Sequence, residues 1–105
     1  MNTVNDKVDA VFRALSDSTR RVIVDELKAR DGQTLFEICV RLIENHKLDL
    51  TRQAISKHLS VLESADLVRT SWNGRTKIHS INEIPIRKLG KGWLAKFVRK
   101  SEKKK

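Results

Sequence analysis

The most informative segment of the chain is TRQAISKHLSVLESA, residues 51–65. Its apolar residues recur at helical spacing and fall on one face: Ile55, Leu59, Leu62 and Ala65. Thr51 stands before them, and its hydroxyl oxygen can accept a hydrogen bond from one of the first N–H groups of a helix. The segment therefore predicts an amphipathic helix that begins after Thr51 and leaves its polar residues on the outside.

A second amphipathic helix is predicted just upstream. Thr34 and Glu37 have the spacing of a capping box, in which each side chain accepts a hydrogen bond from the other residue's N–H group. The apolar stripe that follows consists of Leu35, Ile38, Cys39, Leu42 and Ile43. A short connection, residues 46–50, joins this helix to the next one, so the pair predicts a helix-turn-helix unit.

Two further helices are predicted before this unit. The first has an apolar stripe formed by Val4, Val8, Val11, Phe12 and Leu15. The second begins after N-cap oxygens in residues 16–18 and has the core-facing residues Val22, Ile23 and Leu27. Its end is predicted at Asp31-Gly32, because glycine adopts the left-handed conformation that terminates helices.

The pattern changes to strand-like after Asp66. Residues 67–72 and 75–81 are rich in β-branched and aromatic residues, and Asn73-Gly74 between them favours a tight hairpin turn. Pro85 then begins a final helix whose apolar positions are Ile86, Leu89, Trp93 and Phe97. The predicted fold is mainly α with a small β-hairpin. It is a winged helix-turn-helix of four helices, two strands and a fifth helix, with a domain at 1–98 and a basic tail at 99–105.

The charge of the chain is concentrated at its C-terminal end. The 105 residues carry a net charge of +9, which implies an anionic partner. Residues 86–105 hold nine basic groups and one acidic group, whereas residues 1–85 are nearly neutral. Residues 47–82 have a local excess of three positive charges. The total charge therefore does not by itself identify which surface meets the partner.

Several classes of protein are excluded by composition and motifs. The single cysteine rules out an intramolecular disulfide framework, and we expect a cytoplasmic protein. No apolar run approaches the roughly 20 residues that cross a bilayer, and the N-terminus is not a signal peptide, so we expect no membrane partner. There is no nucleophile elbow, phosphate-binding loop or dinucleotide fingerprint. We therefore expect neither catalysis nor a cofactor.

Four motifs, in this order along the chain, resemble the ArsR family of regulators. FRALSDSTRR at 12–21 is similar to the family's F-x-A-L-(A/S)-D-P-T-R-R opening, with Ser18 in place of proline. AISKHLSVL at 54–62 resembles the family's A-V-S-(R/Q/K)-H-L-x-x-L recognition helix. SADLV at 64–68 is similar to x-A-G-L-V, with Asp66 in place of glycine, and GRTKIH at 74–79 is similar to the wing pattern G-R-x-x-x-(Y/H).

The resemblance implies a homodimeric, DNA-binding transcriptional repressor. Its first and last helices would form the dimer interface, with Val4, Val8, Val11, Leu89, Trp93 and Phe97 as the interface residues. Its recognition helices would enter successive major grooves and read an operator palindrome in double-stranded DNA. The sequence identifies neither an inducer nor a protein partner.

The recognition helix and the wing carry the chemistry that such contacts require. The predicted DNA-binding residues are Thr51, Arg52, Gln53, Ser56, Lys57, His58, Arg75 and Lys77. Arg52 can pair bidentately with guanine and Gln53 with adenine, and each pair gives about 1–3 kcal/mol of discrimination. Arg75, beside the hairpin turn, suits a phosphate or minor-groove contact. For His58, packing or a phosphate contact is favoured over metal ligation.

Two alternatives remain open at this stage. The stretch EICVRL, residues 37–42, resembles the E-L-C-V-C-D-L box of the family's metal sensors, but Arg41 replaces the second cysteine. Because soft-metal sites need several thiolates or imidazoles, we predict no metal site and a structural role for Cys39. A sensor that uses Cys39 with another ligand is one alternative. The other is a sequence-indifferent binder of nucleic acid or membrane surfaces that uses the basic C-terminus.

The two remaining histidines are not expected to bind metal. We expect the side chain of His46 to be solvated and that of His79 to have a structural role.

Overall fold

The computed structural model describes the backbone of residues 3–98 and the side chains of residues 6–98, and within them it has the predicted winged-helix order. The helices before the hairpin are α1 (Thr3–Leu15), α2 (Ser18–Ala29), α3 (Leu35–His46) and α4 (Arg52–Ser64). The hairpin strands are β1 (Val68–Asn73) and β2 (Thr76–Ile81). Two short helices follow, α5 (Ile84–Lys91) and α6 (Ala95–Val98).

One hydrophobic core joins the helix-turn-helix unit to the base of the hairpin. Its fully buried side chains are Ile23, Leu27, Ile38, Leu42, Ile55, Leu62, Leu67 and Val68. Each such residue stabilises the fold by about 1.5–3 kcal/mol relative to an exposed position. The inward face predicted for α4 is confirmed, because Ile55, Leu59, Leu62 and Ala65 are all buried. The core thus fixes which face of α4 is presented to the outside.

The N-terminal caps follow the sequence prediction, whereas the end of α2 differs from it. Asp17 accepts from the Arg20 N–H, and the capping box of Thr34 and Glu37 forms in full. The helix α2 ends at Ala29 with an extended cap residue, ahead of the predicted Asp31-Gly32 stop. Gly32, at φ +73°, instead bends the loop after the helix.

The hairpin is tied to the loop before α3. In its antiparallel register Asn73 pairs with Thr76, so the two-residue turn is Gly74-Arg75 and not the predicted Asn73-Gly74. Gly74 has φ +66°, which fits a turn that requires glycine at its first central position. Gln33 and His79 exchange backbone hydrogen bonds of 3.0 and 2.8 Å. His79 is buried, which confirms its structural role.

The predicted single C-terminal helix is wrong: the chain forms two short helices. The segment α5 ends at Lys91, Gly92 adopts φ −94° and ψ −122°, and α6 begins at Ala95. Glycine is a poor helix former, and Gly90 and Gly92 lie close together here. The break changes the direction of the chain before Trp93 and Phe97.

A buried carboxylate links α2 to α3. The side chain of Glu26 is 2% exposed and accepts hydrogen bonds from Arg41, Asn45 and Gln33. His46 Nε2 lies 3.3 Å from Glu26 Oε1, so the expectation that His46 is simply solvated is wrong. Burial raises the pKa of Glu26, but the hydrogen bonds that it accepts lower it, and the one from Arg41 has the largest lowering effect. The pKa of Glu26 is therefore lowered overall.

The lowered pKa of Glu26 predicts acid-sensitive folding. Because the charged form is favoured in the folded state, its contribution is present above the unfolded pKa and is lost as pH falls through the folded pKa. We expect Glu26→Gln to lower the free energy of unfolding by roughly 2–4 kcal/mol at pH 7 and to flatten its decline below about pH 4.5. Urea unfolding at several pH values measures both effects. Glu83→Gln, at an exposed ion pair with Lys28, is the control and should change stability much less.

Candidate nucleic-acid interface

The outward face of α4 is the main candidate surface. Thr51 caps the helix, and its Oγ1 accepts from the Ala54 N–H at 3.0 Å. The predicted contact residues Arg52, Gln53, Ser56 and Lys57 are all exposed in the N-terminal half of α4. The first N–H groups of a helix also lack intrahelical partners and favour anions such as phosphate. The N-terminal half of α4 therefore presents cations, amide groups and hydroxyls together.

The charge of α4 changes sign along this face. Arg52 and Lys57 lie in its N-terminal half, whereas Glu63 lies near its C-terminal end. Glu63 Oε2 accepts a hydrogen bond of 3.1 Å from Thr70 Oγ1 on β1. Because a carboxylate is repelled by phosphate, this polarity favours contact of the N-terminal half with DNA. That is also the end through which recognition helices of this type touch base edges.

His58 is placed apart from the other predicted contact residues of α4. It is half-buried, and its Nδ1 lies 3.4 Å from Arg20 Nη1. Arg20 also donates hydrogen bonds to the carbonyl oxygens of Ala14 at 2.7 Å and Arg13 at 3.2 Å. These bonds link the start of α2 to the end of α1. This contact packs α4 against the ALSDSTRR corner, in agreement with the packing role considered for His58.

The wing supplies a second group of exposed polar residues. Arg75 is exposed in the hairpin turn, and Lys77 is exposed on β2. Sequence reasoning missed two neighbours of these surfaces. Ser60 is exposed on the same face of α4 as Ser56, and its i+4 spacing could have shown this. Trp72 is exposed on β1 opposite Lys77, but no helical or catalytic motif marks it.

Comparison with known proteins identifies the family. The helix-turn-helix domain family matches residues 15–71, just over half of the chain. An uncharacterized HTH-type transcriptional regulator of Bacillus subtilis, YuzN, is 50% identical over 91 residues, covering 87% of this chain and 99% of that protein. The solved structure of an ArsR-like transcriptional regulator from Rhodococcus is 29% identical, matches over 91% of each chain and superposes with a TM-score of 0.70. The chain belongs to the ArsR-type winged helix-turn-helix transcriptional regulators.

Two other relatives of this ArsR-type regulator carry informative descriptions. The transcriptional repressor SdpR of Bacillus subtilis is 29% identical over 92 residues, covering 88% of this chain and 93% of that protein. A homodimeric winged helix-turn-helix domain of Mycobacterium bovis, solved by NMR, has a TM-score of 0.69 at 24% identity. It covers 91% of this chain and 81% of that one, and it confirms the fold.

The described part of this ArsR-type regulator holds no group of metal-ligating residues. Within residues 3–98, no three His, Cys, Asp or Glu side chains cluster closely enough to hold a metal ion. Cys39 is half-buried, and burial raises the pKa of its thiol, with the nearby Arg52 opposing that rise. A raised pKa lowers the thiolate fraction that binds metals. In the same range, no helix is long and apolar enough to cross a membrane.

The ArsR-type regulator also exposes an aromatic cluster on α1 and the C-terminal segment. The Phe12 and Trp93 rings meet edge to face at 6.5 Å, and the Trp93 and Phe97 rings lie 4.9 Å apart. Trp93 and Phe97 are each about 60% exposed, and Val8 and Phe12 are also exposed. We call these four residues, Val8, Phe12, Trp93 and Phe97, the aromatic surface.

The other predicted interface residues are placed differently. Val11 and Leu89 are buried within the protomer's own core. The side chain of Val4 lies outside the described side chains, and residues 99–105, the predicted basic tail, lie outside the described residues. Phe12 was assigned only to the core stripe of the first helix, so its place on the aromatic surface was missed. Its i+4 spacing from Val8 was the available signal.

Proposed function

We propose that this ArsR-type regulator is a dimeric transcriptional repressor that binds an operator palindrome in the cytoplasm. Each protomer inserts the N-terminal half of α4 into a major groove of double-stranded DNA. Arg75 and Lys77 of the wing contact the flanking backbone. The observation that carries this proposal is the N-terminal half of α4, where four exposed polar residues stand on a helix whose apolar side is packed in the core.

Sequence discrimination is assigned to two residues in the first turn of α4. Arg52 has the guanidinium geometry for the O6 and N7 atoms of guanine, and Gln53 has the amide geometry for the N6 and N7 atoms of adenine. Thr51, Ser56 and Lys57 contact phosphates and fix the register. His58 acts by holding α4 against Arg20. Arg52 and Gln53 thus read the bases, and the other contact residues position the helix on the DNA.

A dimer is supported by the aromatic surface. Aromatic side chains that are more than half exposed on one side of a small protomer are typical of an interface. A two-fold axis through this surface would bring the two C-terminal segments together and place the two α4 helices at matching half-sites. For helices that read one face of DNA, those half-sites are about 34 Å apart. The homodimeric domain from Mycobacterium bovis is a precedent for this assembly.

Competition binding tests the proposed function. A labelled fragment of the DNA upstream of the protein's own coding sequence is bound by the full chain and then challenged with unlabelled fragments. We expect the same upstream fragment to compete at least 100-fold better than a shuffled fragment of equal composition. Equal competition by both fragments would contradict sequence-specific regulation and would favour a non-specific basic binder.

The basic tail is expected to add affinity without selectivity. Deleting residues 99–105 removes five basic groups, so we predict weaker binding to operator and shuffled DNA alike and a shallower dependence on salt. Fluorescence anisotropy at 50–300 mM salt measures both quantities. If the truncated protein lost its preference for the operator instead, the tail would take part in reading the sequence. Loss of all binding would favour the non-specific alternative.

A second candidate function, thiol-dependent metal sensing, is favoured only by the presence of Cys39 in α3. With one thiol per chain and a raised pKa, we predict that Cys39→Ser binds DNA as the wild type does, with or without Zn²⁺ or arsenite. Anisotropy titrations of both proteins with each ion test this. Metal-induced release from DNA that disappears in Cys39→Ser would support the sensor.

A further inference from the structure

Trp72 is a large apolar side chain left in solvent on the wing. It is 66% exposed and stands opposite Lys77 in the hairpin register. Alternate residues of a strand share a face, so Trp72 projects from the same face of β1 as Thr70. Thr70 in turn bonds to Glu63 of α4 at 3.1 Å. This face of β1 is therefore turned toward α4.

The same face is turned toward the side of α4 on which both Glu63 and Arg52 lie. Glu63 follows Arg52 by eleven residues, about three helical turns, so the two lie in nearly the same direction from the axis of α4. Trp72 is two residues further than Thr70 toward the wing tip. The indole thus projects from the face of the hairpin that is turned toward α4, next to Lys77, its cross-strand partner.

We propose that Trp72 contacts DNA. Its indole packs against a deoxyribose of the strand that borders the major groove occupied by α4, while Lys77 meets a neighbouring phosphate. This inference rests on the proposed function and adds an apolar contact to it. Cross-strand partners have Cβ atoms about 5 Å apart, which suits adjacent sugar and phosphate groups of one strand. The backbone of DNA alternates these apolar and charged groups, as Trp72 and Lys77 do across the hairpin.

The two residues should leave different signatures in solution. A phosphate contact by Lys77 releases counterions, so losing it from both protomers of the dimer lowers the slope of log affinity against log salt by about 2. An apolar contact by Trp72 releases none, so losing it lowers affinity at every salt concentration and leaves the slope unchanged. Burial of about 50 Å² of indole surface in each protomer corresponds to roughly a tenfold change in Kd per half-site, or about 100-fold for the dimer.

The test uses the full-length protein and four substitutions, Trp72→Ala, Trp72→Phe, Trp72→Lys and Lys77→Ala. We expect Trp72→Ala, which removes the indole from both protomers, to bind the upstream DNA about 100-fold more weakly with the wild-type salt slope. Trp72→Phe should lose less, and Trp72→Lys should not restore wild-type affinity at physiological salt. Tryptophan emission should change when DNA is added to the wild type, but not to Trp72→Phe, where Trp93 is the remaining tryptophan.

Three results would overturn the inference. Binding by Trp72→Ala within twofold of the wild type would exclude a contact, and full rescue by Trp72→Lys would show that only charge matters at this position. A change from dimer to monomer in Trp72→Ala would assign the residue to a second copy of the chain. In each of these cases the wild type still binds its upstream DNA specifically, so the proposed function is unaffected. If the wild type did not bind that DNA specifically, both the proposed function and the role of Trp72 would be rejected.

Discussion

Replacing Arg52 and Gln53 together by alanine is expected to remove the preference for operator DNA. Both side chains are exposed in the first turn of α4, where each bidentate base contact provides about 1–3 kcal/mol of discrimination. Losing both corresponds to about 2–6 kcal/mol for each half-site, a fall of roughly 30- to 25,000-fold in operator affinity per half-site, while binding to shuffled DNA declines only modestly. Anisotropy with operator and shuffled DNA measures the ratio of the two affinities.

Arg87→Ala provides the matched control for this change. Arg87 is also an exposed arginine, but it lies on α5 and pairs with Glu83. Arg87→Ala removes the same positive charge as Arg52→Ala but no base contact. We therefore expect this variant to prefer operator over shuffled DNA as strongly as the wild type does. If Arg52→Ala with Gln53→Ala kept the wild-type preference, base reading would not lie in the first turn of α4. Equal losses in both proteins would indicate an effect of net charge alone.

Trp93→Asp is expected to convert the proposed dimer into a monomer. Trp93 lies between Phe12 and Phe97 at the centre of the aromatic surface, so an aspartate would place a charge in an apolar interface. A charge buried there without a partner costs several kcal/mol per subunit. This cost is enough to make a dimer with a micromolar dissociation constant fall apart into monomers. Light scattering at about 20 µM reports the mass. Operator affinity should fall strongly as well, because a monomer holds one half-site.

Phe36→Asp is the control for the dimer prediction. Phe36 is 64% exposed on α3, close to the 59% of Trp93, but it lies outside the aromatic surface. We expect Phe36→Asp to remain dimeric. A dimeric Trp93→Asp would place the interface elsewhere, and a monomeric Phe36→Asp would move it to α3. Circular dichroism of both variants separates unfolding from dissociation.

The sequence predicted the helix-turn-helix well because its signals are local. The capping box at Thr34 and Glu37 and the apolar positions of α4 each depend on residues within a few turns, and both are confirmed. The same is true of the hairpin, although its turn is shifted to Gly74-Arg75 because the pairing of the strands sets the register. Local patterning was therefore sufficient for the elements but not for every boundary.

The features that sequence reasoning missed depend on tertiary contacts. His46 looked like a loop residue, yet it lies against the buried Glu26 because α2 and α3 cross at that point. The place of Phe12 on the aromatic surface follows from how the C-terminal segment returns to α1, where the Trp93 ring meets that of Phe12. Trp72 had no periodic neighbour to mark it, and only the pairing of β1 with β2 and the bond of Thr70 to Glu63 show which way it faces.

The most direct test of the account is footprinting of the purified full-length protein on its own upstream DNA over a range of salt concentrations. We predict two protected half-sites related by two-fold symmetry, with centres about one helical turn apart and protection that persists at salt where flanking DNA is no longer covered. Weak, uniform protection that fades everywhere at the same salt concentration would contradict sequence-specific regulation by this chain.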